Sequence, residues 1–345
     1  MQRKGNKVKL KIIKFFKNQI RTKQGKGKKM NGVKFEEFFE RYEGNPILTP
    51  RDWPYKIGSV FNPGAIKFND EILLLVRAED KQGYSHLTIA KSKDGKTNWQ
   101  ISKDPALTPN IEKGEAPIGL EDPRIVWLED RQEYIIACVS FFDKVAGTPP
   151  GVSLISTKDF LRFERLARPL IPPNKDASLF PRTFKGNYAL INRPVVDSRE
   201  DIWVSFSPDL EFWGKNRVLL PTRHRSWDGD KVGLGPPPVE TEEGWLIIYH
   251  GARLTASGAI YRVGLALLDL ETLEVIRRSR DWVFGPEEDY ERVGDVDDIV
   301  FPCGAVVDKK TNELLVYYGA ADTVVGLAIA NLDDVLTYLK KCREY

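Results

Sequence analysis

The chain has 345 residues, with 52 Lys+Arg against 49 Asp+Glu, 41% hydrophobic residues, 3 Cys and 3 His, which sets it apart from disordered chains and allows a sizeable core. No apolar run reaches the roughly 18 residues of a membrane span, and Cys138, Cys303 and Cys342 lack the spacing of a disulfide framework or zinc site, so a reducing, cytoplasmic setting is expected. His86, His224 and His250 form no metal-binding pattern; no metal or other cofactor is expected, and chemistry falls to carboxylates, Arg, Lys and Tyr.

Residues 1–34 read as a basic extension. The first thirty contain twelve basic residues and no acidic one, leaving a body with 40 basic and 49 acidic residues, a net charge of −9. Val8, Leu10, Ile12, Ile13, Phe15, Phe16 and Ile20 give the extension a loosely amphipathic helical pattern that suits an anionic membrane surface, RNA or an acidic partner. The competing reading is a mobile extension, or upstream sequence translated from an early start, with Met30, the only other methionine, as the true start. It lacks the apolar core and cleavage site of a signal peptide. The acidic body carries no RNA-binding signature, so no nucleic-acid partner is expected.

Residues 35–345 repeat. A small polar residue, one spacer and an acidic residue recur at Ser92-Lys93-Asp94, Thr157-Lys158-Asp159, Ser207-Pro208-Asp209, Asp269-Leu270-Glu271 and Asn331-Leu332-Asp333. Upstream of each, a proline sits in or beside an apolar strand, at Pro63, Pro123, Pro181, Pro236 to Pro238, and Pro302. Between the two marks lies a strongly apolar strand: 72–76, 134–139, 188–191, 245–249 and 314–318. With almost no helical period after Phe39, this predicts antiparallel meanders, an all-β chain folded as a five-bladed β-propeller. A two-sheet sandwich would not produce five equivalent marks. Proline is tolerated on an edge strand, so residues beside the five prolines are expected to converge on one central funnel.

Those residues differ in charge and size between units, which suggests an asymmetric ligand. Unit one offers Asn62, Arg77, Glu79 and Asp80; unit two Glu121, Asp122 and Arg124; unit three Lys175 and Asp176 before its strand and Arg193 after the next. Unit four offers His250 at a strand end and Tyr261, and unit five Phe301 and Asp322. Asp122, Asp322, Asn62 and Arg77, with Phe301 as an apolar platform, form a sugar-binding set. Lys175, Arg193, His250 and Tyr261 suit a phosphate. One carboxylic acid beside an anion site suffices for phosphorolysis, whereas an inverting hydrolase needs a second carboxylate. On the residues alone, Asp122 is either the acid or a structural carboxylate paired with Arg124, and His250 either a phosphate ligand or a core histidine. Glu121 reads as a support or hydroxyl ligand, and Asp94, Asp159 and Asp209 as turn formers.

The strings Ser59-Val-Phe-Asn-Pro-Gly-Ala65, Gly119-Leu-Glu-Asp-Pro-Arg124, Pro173-Asn-Lys-Asp176, Gly244-Trp-Leu-Ile-Ile-Tyr-His-Gly251 and Tyr317-Tyr-Gly-Ala-Ala-Asp322 resemble glycoside hydrolase family 130, the β-mannoside phosphorylases, over residues 45–335. The resemblance implies a five-bladed propeller and inverting phosphorolysis of a β-mannoside to α-mannose 1-phosphate, with inorganic phosphate as co-substrate and no cofactor. It makes Asp122 the proton donor, acting through a mannosyl hydroxyl. Asn62, Arg77, Glu121, Phe301 and Asp322 then bind the mannoside, and Lys175, Arg193, His250 and Tyr261 the phosphate. Pro-Gly-Ala after Asn62 and Gly83-Tyr-Ser-His-Leu87 resemble members acting on β-1,4-linked mannooligosaccharides or mannosyl-N-acetylglucosamine more than β-1,2 members. A homo-oligomer is also implied. A β-1,2-mannoside phosphorylase, a β-mannoside hydrolase and a non-catalytic glycan-binding propeller are the alternatives.

Overall fold

A computed structural model of the protein describes residues 38–110, 119–141, 149–166, 168–196, 199–256 and 258–345. The basic extension lies outside the described residues, and Glu37–Tyr345 form one compact unit. A short strand, β1 (Glu40–Arg41), precedes the first antiparallel meander, β2 (Ser59–Phe68), β3 (Glu71–Glu79), β4 (Ser85–Ser92) and β5 (Gln100–Ile101). The second is β6 (Gly119–Leu128), β7 (Glu133–Phe141), β8 (Gly151–Thr157) and β9 (Glu164–Arg165), linked to the first by one parallel bridge, Ser85 to Gly119. The third is β10 (Asn174–Leu179), β11 (Tyr188–Pro194), β12 (Ile202–Ser207) and β13 (Gly214–Leu220). In the fourth, β14 (Lys231–Leu234) and β15 (Val239–Thr241) share the edge of β16 (Gly244–Thr255), which pairs with β17 (Gly258–Leu268) and then β18 (Val275–Arg278). After a one-turn helix, α1 (Asp289–Arg292), the last sheet contains β19 (Val300–Asp308), β20 (Glu313–Ala320) and β21 (Val324–Asn331), and β1 pairs with β21 as its fourth strand. Helix α2 (Leu332–Lys341) ends the fold.

The all-β expectation holds. Successive residues of each second strand enter different hydrophobic clusters because strand side chains alternate between faces. Leu73 and Leu75 pack with Ile125 and Ile136 of the second meander, while Leu74 and Val76 pack with Leu315 and Tyr317 of the last. Ile135 joins the third meander's Leu190, Ile191 joins the fourth's Ile247, and Ile248 joins the last sheet's Val316. Burial on both faces explains why these strands are continuously apolar rather than alternating.

The polar marks are turns, but their register shifts by two residues along the chain: Asp94, Asp159 and Asp209, the acidic residues of the first three marks, and Asp269 and Asn331, the leading residues of the last two, each accept hydrogen bonds from the backbone N–H groups two and three residues on. In four units this turn leads toward the outer strand. At Asn331 the same bonds cap α2 instead, so the fourth strand of that sheet comes from the other end of the chain. This corrects the expectation of almost no helical period after Phe39: Leu332, Val335, Leu336 and Leu339 form a buried helical stripe. The third proline mark is corrected too. Pro181 follows β10, and Lys175 and Asp176 lie within that strand rather than before it; Arg193 and His250 likewise lie inside β11 and β16.

Candidate active site

The first strand of each of the first three meanders has a register shift at one place: between Phe61 and Gly64, between Glu121 and Arg124, and between Lys175 and Ser178. Inside each shift a short polar residue adopts the left-handed conformation, Asn62 (φ 46), Asp122 (φ 51) and Asp176 (φ 50). Asn and Asp adopt this region more readily than other side-chain-bearing residues, and a bulge re-aims the side chain it carries. All three line one cavity of ≈ 250 Å³. In β19 the corresponding shift falls between Pro302 and Gly304, with Phe301 beside the cavity.

On one side, carboxylates gather around one arginine. Arg77 donates through Nη1 to Asp122 Oδ1 (3.2 Å) and through Nη2 to Glu121 Oε1 and Glu79 Oε2 (both 2.8 Å). Asn62 Nδ2 donates to the same Asp122 oxygen at 2.8 Å. Asp122 Oδ2 has no hydrogen-bond partner among the described residues, which leaves it available to a ligand in the cavity. Asp322 joins this side from the turn after β20. Burial, with Asp122, Glu121 and Glu79 nearby, pushes its carboxyl up to about 7 against the pull of Arg77. Burial also raises Glu121, with Arg77 opposing and Asp122 adding to the shift. Four carboxylates around one guanidinium cannot all ionise cheaply, so the cluster retains a proton near neutral pH.

On the other side, Lys175, Arg193, Lys231 and Tyr261 line the cavity with Asp176 and Glu200. Asp176 Oδ2 accepts from Arg193 Nε at 2.6 Å and lies 3.4 Å from His250 Nε2, and its Oδ1 is 3.6 Å from Arg124 Nη2. Burial would raise the Asp176 carboxyl, but Arg193, His250 and Arg124 hold it well below the usual range. His250 is fully buried. Burial lowers its imidazole, with Asp176 opposing, so the ring is neutral at neutral pH. It packs 4.4 Å from the Phe301 ring, centroid to centroid. Gly233 makes room for this group, because a Cβ there would strike Asp176 Oδ2 and the His250 ring.

The family profile described as beta-1,4-mannooligosaccharide phosphorylase matches residues 27–341. The chain belongs to glycoside hydrolase family 130. It is 34% identical over 312 residues to the beta-1,4-mannooligosaccharide phosphorylase of Ruminococcus albus, covering 87% of this chain and 90% of that one. It is 36% identical over 305 residues to the 1,2-beta-oligomannan phosphorylase of a Thermoanaerobacter species, covering 86% and 98%. Among solved structures, the beta-1,2-mannobiose phosphorylase of Listeria innocua in complex with beta-1,2-mannobiose superposes with a TM-score of 0.78 at 30% identity, covering 88% and 99%.

In this family 130 chain, Asn62, Arg77, Glu121, Asp122, Phe301, Asp322, Lys175, Arg193 and Tyr261 come together around the cavity. His250 does not line it. The pairing of the Asp122 carboxylate with Arg124, one of the two open readings, is absent: Arg124 instead donates to the Asp122 backbone carbonyl at 3.0 Å and to Leu234 O and Gly235 O, both at 2.7 Å. Sequence reasoning left Lys231, Glu200, Val195 and Ile299 out of the site, and gave Asp176 a place in the funnel but no role. Asp176 carries a usable signal, since it occupies the repeat position of Asn62 and Asp122. Lys231 and Glu200 carry none, because a β-bridge between them, 31 positions apart, puts them together. Among the described residues no group of His, Cys, Asp and Glu has the makings of a metal site.

Proposed function

We propose that this enzyme is an inverting phosphorylase of β-mannosides, acting on β-1,4-linked mannooligosaccharides or mannosyl-N-acetylglucosamine and producing α-mannose 1-phosphate. The observation that carries this reading is a single cavity with the carboxylate and amide set on one side and three cations with a phenol on the other. Asn62, Arg77, Glu121 and Asp322 hold sugar hydroxyls, and Phe301 packs against an apolar sugar face. Lys175, Arg193, Lys231 and Tyr261, backed by His250, hold phosphate. A phosphate oxygen attacks the anomeric carbon from the face opposite the leaving group. As the glycosidic bond breaks, Asp122 supplies the proton that the leaving oxygen takes up, through a mannosyl hydroxyl as the family resemblance implies. Phosphate replaces the activated water of a hydrolase. A hydrolase would need a second carboxylate free to activate water, and Glu79 and Asp176 are both engaged, Glu79 by Arg77 and Ser85, and Asp176 by Arg193.

The fold belongs to the same reading. The five antiparallel units, four strands each save the fourth with five, share five hydrophobic clusters that run in a cycle from the first to the last and back. This supports a five-bladed propeller with the cavity where the first strands converge. A reducing, cytoplasmic location fits three cysteines that remain thiols.

The test is product analysis with β-1,4-mannobiose and, separately, β-1,2-mannobiose, with and without phosphate. The expected product is α-mannose 1-phosphate, formed from the β-1,4 substrate and only with phosphate. Mannose released without phosphate would make the protein a hydrolase. Turnover of the β-1,2 substrate alone would move the linkage to that of the Thermoanaerobacter relative.

A further inference from the structure

The basic side of the cavity contains carboxylates, and they differ in what remains open to a ligand. Asp176 is spent: its side chain is 2% exposed and its oxygens face Arg193, His250 and Arg124. Glu200 lines the same cavity with its side chain 15% exposed and its carboxylate paired with Arg193 Nη1. Its backbone is clipped to the start of β14, where its N–H donates to Asp230 O (3.3 Å) and its carbonyl accepts from Val232 N–H (2.9 Å). The parallel bridge to Lys231 fixes the two side chains as neighbours on the cavity. An oxyanion held by Arg193 and Lys231 therefore meets the Glu200 carboxylate.

That contact has a chemical consequence. An ionised carboxylate has acceptors only. In a partly desolvated site, two anions facing each other repel unless a proton lies between them. At neutral pH inorganic phosphate retains at least one P–OH group, whereas sulfate, of similar shape, retains no proton. An O–H to carboxylate hydrogen bond is among the short, strong kind.

We propose that Glu200 selects the oxyanion: it accepts the P–OH hydrogen of phosphate and excludes sulfate. The proton stays on phosphate, and Glu200 makes or breaks no covalent bond. Glu200 is thus a specificity-determining residue for the co-substrate. The inference rests on the phosphorylase reading above.

The experiment measures phosphorolysis rates at varied phosphate with sulfate as inhibitor, for the wild type, Glu200→Gln and Glu200→Ala. In the wild type the inhibition constant for sulfate is expected to exceed KM for phosphate by roughly 100-fold or more, in keeping with the rejection achieved by sites built around one hydrogen bond. In Glu200→Gln the sulfate-to-phosphate ratio should fall by about tenfold or more, because the neutral amide removes the repulsion and offers sulfate a donor. A role limited to holding Arg193 would weaken both ions together and leave the ratio unchanged, which overturns the proposal. Wild-type arsenate needs no variant: protonated like phosphate, it should sustain turnover, and sulfate competing near the phosphate KM would refute selection by a proton. Phosphate-dependent turnover with an unmoved ratio removes the role of Glu200 alone. Turnover independent of phosphate removes the phosphorylase reading, and this inference with it.

Discussion

Asn62 and Asp122 occupy the same bulge position in neighbouring meanders, both in the left-handed conformation, and Asn62 Nδ2 donates to Asp122 Oδ1 at 2.8 Å. Together with Arg77 on the same oxygen, this fixes the carboxylate and leaves its other oxygen without a hydrogen-bond partner among the described residues. The glycine beside it in space, Gly319, is required for the same reason, since a Cβ there would strike Asn62 Oδ1.

Replacing Asp122 with Asn preserves the shape and both contacts on one oxygen while removing the acid. Phosphorolysis is expected to fall by about 10²–10⁴-fold, the usual worth of a positioned general acid. The thermal midpoint should move by only a few degrees. Equal loss of activity and of folded protein, measured by calorimetry beside the assay, would make Asp122 structural.

Asp322 provides a pH signature. Its carboxyl is raised to about 7 chiefly by burial, so between about pH 4 and 7 the folded protein holds a proton that the unfolded chain releases. The stability this contributes is complete below the unfolded carboxylate range and is lost as pH rises through 7. Asp322→Asn should therefore unfold at a higher temperature than the wild type at pH 8, by at most about 4 kcal/mol, with the advantage shrinking toward pH 4. Activity should fall at every pH. An advantage independent of pH in calorimetry would contradict the assignment.

Arg41 closes the last sheet. Its Nε and Nη2 each lie 2.9 Å from a Glu291 oxygen, Nη2 also donates to Gly285 O at 2.5 Å, and the guanidinium lies 4.5 Å over the Phe284 ring. Glu291 is fully buried and also accepts from Tyr318 Oη at 2.7 Å. Arg41→Ala leaves that carboxylate uncompensated, at a cost of about 3–5 kcal/mol, readable in a denaturant titration. A chain beginning at Met30 retains β1 and should keep full activity and stability, while one beginning at Tyr42 should lose both.

Arg124 joins the second meander to the fourth through Leu234 O and Gly235 O, and reaches back to Asp122 O. Arg124→Met removes a buried cation facing Asp176 and three hydrogen bonds to carbonyls. It should destabilise by about 3–5 kcal/mol. Arg124→Lys, with its single point charge, should recover only part of this because it cannot reproduce the guanidinium fork. Full recovery by lysine would show that charge alone matters.

What was legible in the sequence was local. Asp94, Asp159, Asp209, Asp269 and Asn331 make their bonds within three residues, so the turns repeat visibly along the chain. The stripe of Leu332, Val335, Leu336 and Leu339 was equally readable, and was hidden only because Asn331 had been matched to turns that lead toward strands. The apolar second strands signal burial on both faces from composition alone. Asn62, Glu121, Asp122 and Phe301 sit beside the repeated prolines, so their place at the cavity was legible from the motifs alone.

The sequence by itself therefore determined the all-β class, the repeat and the chemistry on offer at each repeat position. Only the tertiary structure decided which groups meet. Arg77 finds Asp122 across 45 positions, Arg124 finds Gly235 across 111 and Arg41 finds Glu291 across 250, pairings set by how sheets pack and not by spacing in the chain. The charge states followed from the same packing: burial makes His250 neutral, raises Asp322 and leaves Asp176 ionised among arginines, because the dielectric around a group belongs to its neighbours in space.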